Sequence, residues 1–433
     1  MLLRQFEVSG FKSLRRVSLT FSDLTVLVGP NGAGKSNVAD ALAFLADAYR
    51  TGLPDAIEAH GGLDSLITLT QHGRSPGIRF SILGDVDRAS HRGSRPTDSI
   101  VRPSVRHSFE LQPVHKAKQQ YHVVAESIEF LFEAQPGHFR TVLALKRSGD
   151  QLRIGIGART LPPGLSPTLR RTFVEIRDIT KALTAASIKL ASTELAMQVF
   201  GKMQQHLGRF SSALGSMRVY QLDPDVSRDD GEKSARPELS RYGQNLPSVL
   251  NYLRRMHPSS WRAINGAMRD VMPDLDCITI DNRPSGNLAV FFKELGYRRA
   301  WKATEVSDGT IRTLALLTAI FDPRTALLVL EEPENSLHPW VTRQVVKACT
   351  AAVTGKQIVL TTHSPVVMKS TKAKDVILIW KNAAGTEASP LPAVDPELRD
   401  SLLAGDIDVF DTLDSGIISV AVPQPLNLAE RQQ

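Results

Sequence analysis

Three stretches of the chain carry uninterrupted apolar runs that stop at polar or acidic residues: LTVLVG (24–29), LLVLEEPENSLHPW (327–340) and IVLTTHSPVV (358–367). Such a run fits a strand covered on both faces, as in a parallel sheet flanked by helices. Strands of that kind deliver functional residues at their carboxyl edge, where ligands of open α/β sheets sit. Two further stretches have helical spacing. One is NVADALAFLADAY (37–49), directly after the first run; the other is EVSDGTIRTLALLTAIF (305–321), with Ile311, Leu314, Leu317 and Ile320 on one face and Ser307 and Asp308 placed to cap it. Between about 77 and 160, runs such as IRFSIL, HSFELQP, YHVVAESIEFLFE, TVLALKR and LRIGIG alternate with turn-rich pieces and predict antiparallel strands. Residues 166–214 show helical spacing without long heptads, which predicts a short helical lid or arm rather than a coiled coil.

Residues 25–37, TVLVGPNGAGKSN, satisfy the phosphate-cradling pattern G-x-x-x-x-G-K-[ST] through Gly29, Gly34, Lys35 and Ser36. The pattern stands between a buried-strand run and a helix, the context that it needs. The loop 29–37 (Gly29, Pro30, Asn31, Gly32, Ala33, Gly34, Lys35, Ser36, Asn37) is the candidate nucleotide cradle. Its glycines permit backbone angles that aim successive N–H groups at phosphate oxygens, and the following helix adds its positive end. Lys35 is a point charge for the β- and γ-phosphates, and the Ser36 hydroxyl can ligate Mg²⁺.

A doublet of acids after a strand is by itself only the solvated start of a loop. Beside a nucleotide site, Glu331 and Glu332 acquire separate roles, the first toward the Mg²⁺ shell and the second toward the attacking water. His363, at the end of another apolar run, is placed to face the γ-phosphate. Ser307, Asp308 and Gly309 open a helix whose small first turn suits an anion. The phosphate tail at Gly34 already has a helix end, so this second start is expected to serve the nucleotide of another copy.

The order P-loop, SDGT, LLVLEEPENSLHP, TTHSP resembles the ABC-type ATPases of the SMC, RecF and OLD group, in particular the compact OLD/RecF-like ATPases without a TOPRIM nuclease domain. The opening FEVSGFKSLRRVSLTFSD is similar to their first hairpin, and VYQLDP (219–224) and YGQNLPSVLNYL (242–253) also match, so the resemblance covers about 1–50 and 215–380. It implies a head-to-tail homodimer with ATP and Mg²⁺ sandwiched between each P-loop and the partner's SDGT. By position it makes Glu331 the Walker B acid, Glu332 the catalytic glutamate, Asn335 and Ser336 the segment crossing the interface, and His363 the switch histidine. There are departures. The first acid is Glu rather than Asp, the signature reads VSDGT rather than LSGGQ, and Gln71 is the one positional candidate for a Q-loop glutamine.

At 433 residues the chain can bury more than one core. Since the P-loop lies near one end and the other motifs beyond residue 300, one head is assembled from both ends with the middle inserted. The expected fold is α/β: a P-loop ABC-type head, with a mixed central sheet, flanking helices and an antiparallel β-layer, and an inserted β-rich and helical lid or arm. The expected divisions are an N-terminal lobe (1–76), a β-rich part (77–165) containing a basic loop (88–118), a helical arm (166–214), a C-terminal lobe (215–380) and a tail (381–433). Loop 88–118 holds seven Lys/Arg against Asp98 and Glu110. It can contact nucleic acid or simply be solvated. Asp406, Asp408 and Asp411 are expected in a solvated acidic tail or partner-docking segment rather than a metal site.

Cys277 and Cys349 have neither metal spacing nor a disulfide framework, which fits a reducing cytoplasm. No apolar stretch approaches membrane-helix length, and the opening MLLRQFEVSGF lacks signal-peptide features, so the expectation is a cytoplasmic protein with no membrane partner. A net charge of +7 and a pI near 9.4 permit DNA or RNA as a partner without requiring it. Two functions follow as expectations. One is an ATPase coupled to a DNA- or RNA-directed process such as repair or phage defence, with a separate effector protein. The alternative is a slow ATP-dependent switch holding a toxin or nuclease partner. A transporter ATPase is disfavoured by the signature and the long insertion.

Overall fold

A computed structural model describes residues 2–70, 73–86, 103–114, 121–135, 138–149, 151–156, 174, 190–203, 205–383, 385–418 and 420. The chain divides into two compact units, each discontinuous in sequence. One draws on residues 1–22, 40–217 and 381–388, the other on 23–39, 218–380 and 389–433. The chain therefore leaves and re-enters each unit several times. The opening hairpin and the P-loop strand, expected together in a lobe 1–76, fall in different units.

The first unit contains a seven-stranded antiparallel sheet in the order Gln151–Ile156, His138–Ser148, Tyr121–Gln135, Pro103–Pro113, Ile78–Asp85, Leu2–Phe11, Leu14–Thr20. The five runs between 77 and 160 are thus strands, in one sheet with the opening hairpin. Phe6, Phe11, Phe44, Phe80 and Phe109 fill its core, with Phe44 stacked on Phe80 and Phe80 on Phe109.

Part of the expected basic loop 88–118 is strand. From Val105 to Leu111, Val105, His107, Phe109 and Leu111 are buried while Arg106, Ser108 and Glu110 between them are half-buried, a period of two that overrides the local charge. His107 Nε2 donates to Glu126 Oε1 at 2.9 Å, and Glu126 also accepts the Ala196 and Met197 amides at 2.7 and 2.9 Å. Residues 88–102 and 115–118 of that loop lie outside the described residues, as do Gln71 and, in the expected arm, 166–189 apart from 174. The described part of the arm forms helices Ala196–Met203 and Gln205–Gly215, the second burying Leu207, Phe210 and Leu214.

The second unit is built on parallel strands. Arg218–Tyr220, Leu327–Glu331, Gln357–Thr362, Leu24–Val28 and Val376–Asn382 pair in that order, the middle three buried at every position. Register sets Glu331 beside Thr361, and Thr361 beside Leu27. Three strands therefore end at one edge. Helices Leu246–Met256, Pro258–Val271, Asp308–Phe321 and Pro339–Ala352 and an antiparallel sheet (Leu275–Asn282, Leu288–Glu294, Ala300–Lys302) share the core of this unit.

The acidic segment 395–416 differs from expectation. Helices Arg399–Ala404 and Val409–Asp414 bury Leu402, Val409 and Leu413 in that core. Asp408 caps the second helix by accepting the Phe410 and Asp411 amides at 2.8 and 3.2 Å. Sparse apolar residues at helical spacing, not the acids, decide where this segment lies. Among the described residues no helix is long and apolar enough to cross a membrane.

Candidate nucleotide site

The loop after Leu24–Val28 is shaped by three glycines, each for a different reason. Gly32 and Gly34 have φ of 76° and 112°, the left-handed region that a side chain disfavours. Gly29 is required by proximity, since a Cβ there would stand 1.9 Å from the Ile379 carbonyl oxygen. Helix Lys35–Arg50 starts at the end of this loop. Lys35 Nζ arches back and donates to the Gly29 and Pro30 carbonyls at 2.7 and 3.1 Å. Burial lowers the Lys35 pKa, while Glu332 and Glu334 pull the other way. A largely buried cation above a cradle of glycine amides suits a polyphosphate.

Glu331, 5% exposed, ends its strand and accepts from Arg241 Nη2 at 2.9 Å. Glu332 follows with φ of 44°, left-handed and unusual for a residue with a side chain. Its amide donates to the Thr361 carbonyl at 3.0 Å and its carbonyl accepts from Arg312 Nη2 at 2.9 Å. Its carboxylate accepts from Asn335 Nδ2 at 2.8 Å and stands 3.5 Å from His363 Nδ1. Glu332 and His363, expected from separate motifs, are therefore neighbours. Their side chains are 35% and 47% exposed, open enough to meet a substrate.

Ser307 caps helix Asp308–Phe321, its hydroxyl accepting from Thr310 N at 3.2 Å. Asp308 pairs with Arg228. Gly309 lies against the Glu332–Ser336 turn, where a Cβ would come within 3.2 Å of the Ser336 carbonyl. Ser307, Asp308, Asn335 and Ser336 are all exposed.

Three further residues belong to this arrangement. Glu334 Oε1 accepts from Thr362 Oγ1 at 2.5 Å and from the His363 amide at 3.3 Å. Arg312 is a buried cation on the helix that Ser307 caps, and Arg241 is the Glu331 partner. Glu334 lies within the EEPENS stretch and Arg312 is the lone charge in TIRTLALLTAIF, so both carried a signal. Nothing in the sequence marks Arg241.

A hydroxyl at the helix start (Ser36, exposed) and a strand-end carboxylate (Glu331) make a sparse oxygen donor set. That suits Mg²⁺, which keeps phosphate and water for its other positions. Among the described residues no group of three or more His, Cys, Asp or Glu could hold a metal ion.

Two family models match. Residues 217–369 fit "AAA domain, putative AbiEii toxin, Type IV TA system", and residues 1–72 fit "AAA ATPase domain". A solved Smc head bound to the C-winged helix domain of ScpA superposes with a TM-score of 0.50 at 16% identity, covering 90% of this chain and 97% of that one. Together these matches support an ABC-type ATPase of the SMC, RecF and OLD group. Structural maintenance of chromosomes protein 1 of Arabidopsis thaliana is 39% identical over 84 residues, 18% of this chain and 6% of that protein. The chromosome partition protein Smc of Halothermothrix orenii (strain H 168 / OCM 544 / DSM 9562) is 45% identical over 47 residues, 10% of this chain and 4% of that protein. This head thus spans a small fraction of the length of these curated relatives.

Proposed function

We propose that the chain binds ATP with Mg²⁺ and hydrolyses it at an interface between two copies, each P-loop facing the Ser307 helix start of the other. The observation that carries this is the meeting, in one unit, of the Lys35 loop with the strand ends bearing Glu331, Glu332 and His363. Lys35 neutralises phosphate charge, and the loop amides hold the triphosphate. Glu332 orients the attacking water and takes its proton, while His363 faces the same carboxylate and steadies the γ-phosphate. Ser36 and Glu331 would hold Mg²⁺, which supplies charge neutralisation when bound. Ser307, Asp308 and Gly309 complete the partner's site with amides and a helix end.

The turnover is proposed to drive a DNA- or RNA-directed process such as repair or phage defence through a separate effector protein, in the cytoplasm. The basic balance of the chain supports it. The family description naming a type IV toxin–antitoxin system favours a second reading, a slow switch that assembles around a protein partner. ATP turnover measured with and without DNA and RNA separates the two. Stimulation of several-fold supports the first; an unchanged rate with a copurifying protein supports the second.

A further inference from the structure

We propose that Arg312 is a positioning residue for Glu332, clamping the backbone of the general base from the helix that begins at Ser307. This rests on the function proposed above. Arg312 is 5% exposed in the second turn of helix Asp308–Phe321. Its Nη2 donates to the Glu332 carbonyl at 2.9 Å and its Nη1 to the Leu222 carbonyl. Nε is buried with no acceptor. No carboxylate among the described residues forms an ion pair with it. A buried guanidinium is normally satisfied by an acid, because desolvating the charge is costly. Here burial lowers its pKa, and Glu334, Asp223 and Glu332 oppose that only from a distance.

What this expensive group holds is the carbonyl of a residue in an unfavourable conformation. A left-handed φ is disfavoured at a residue with a side chain, and it persists only where its surroundings over-determine it. Glu332 is fixed at both backbone groups, its N–H by the Thr361 carbonyl and its C=O by Arg312. The direction of the Glu332 side chain thus depends on a residue of the same helix that presents Ser307. Arg312 acts on the nucleotide bound by its own chain, whereas Ser307 acts on that of the partner.

The test uses full-length chains. Arg312→Gln is expected to bind ATP within about twofold of wild type while kcat falls about 100-fold, the scale of a misplaced catalytic group. Arg312→Lys, which keeps the charge and one donor, is expected to lose about tenfold. In mixed dimers, Ser307→Arg regains one working site when paired with Lys35→Ala, because the intact P-loop and the intact helix start face each other. Arg312→Gln paired with Lys35→Ala regains none. If Arg312→Gln does not fold, Arg312→Lys decides. A kcat within threefold of wild type for the folded variant, or rescue of Arg312→Gln by Lys35→Ala, overturns the proposal. Glu332→Gln runs in the same assay. If it hydrolyses ATP normally, the proposed function fails; if it is inactive while the Arg312 variants are active, only the positioning role fails.

Discussion

Glu334 and Thr362 are joined by a hydrogen bond of 2.5 Å in which the threonine hydroxyl donates, and Thr362 Oγ1 in turn accepts the Ser364 amide at 2.9 Å. An acid just past one strand therefore fixes the end of the next, where His363 begins. Thr362→Val and Glu334→Gln are each expected to lower kcat about tenfold with ATP affinity little changed. Because both act on one contact, the double variant should be no worse than the poorer single one, a coupling of about 1.4 kcal/mol. Additive losses in a double-mutant cycle would separate the two residues.

Gly29 and Gly32 predict different lesions. Gly29→Ala drives a methyl into the Ile379 carbonyl and should cost about 2–4 kcal/mol, read as a lowered melting temperature. A Cβ at Gly32 meets nothing within 4 Å. Gly32→Ala should then cost only the left-handed conformation, about 1–2 kcal/mol, and show mainly as weaker ATP binding. Thermal melts with and without nucleotide check both.

Lys35→Ala should lose nucleotide binding itself, by about 100-fold or nearly 3 kcal/mol. The ammonium that donates to the Gly29 and Pro30 carbonyls is the one cation that the P-loop places over its own cradle. Titration calorimetry with a non-hydrolysable ATP analogue measures it.

Lys356 gives a pH prediction. It is 4% exposed and donates to the Asp322 carbonyl at 2.5 Å at the end of helix Asp308–Phe321. Burial lowers its pKa from 10.5 to about 8, against the pull of Asp322 and Cys349. Between those values the unfolded chain holds more protons than the folded one, so stability rises as pH rises through that window. The gap corresponds to at most about 3 kcal/mol. Relative to Lys356→Met, wild type should gain stability from pH 7.5 to 9.5 in urea melts. A constant difference would mean that the lysine is not perturbed.

Strands of the nucleotide unit were legible because LTVLV, LLVLE and IVLTT are buried on both faces and leave no alternation to misread. The helix capped by Ser307 was legible from its cap and spacing. Residues 395–416 were obscured because conspicuous charges stand at outward positions, while a few residues such as Leu402 and Leu413 decide burial. The interleaving of the two units depends on pairings far apart in sequence, which no local pattern encodes. Arg241 acquires meaning only through what faces it in three dimensions, the Glu331 carboxylate.

The most direct measurement is the mass of Glu332→Gln in solution with and without Mg–ATP. Replacing the base by its amide keeps size and removes proton acceptance, so two chains should close around ATP and stay closed. A shift from monomer to dimer that depends on ATP and is abolished by Lys35→Ala is the predicted result. A variant that binds ATP yet remains monomeric at micromolar concentration would contradict the account.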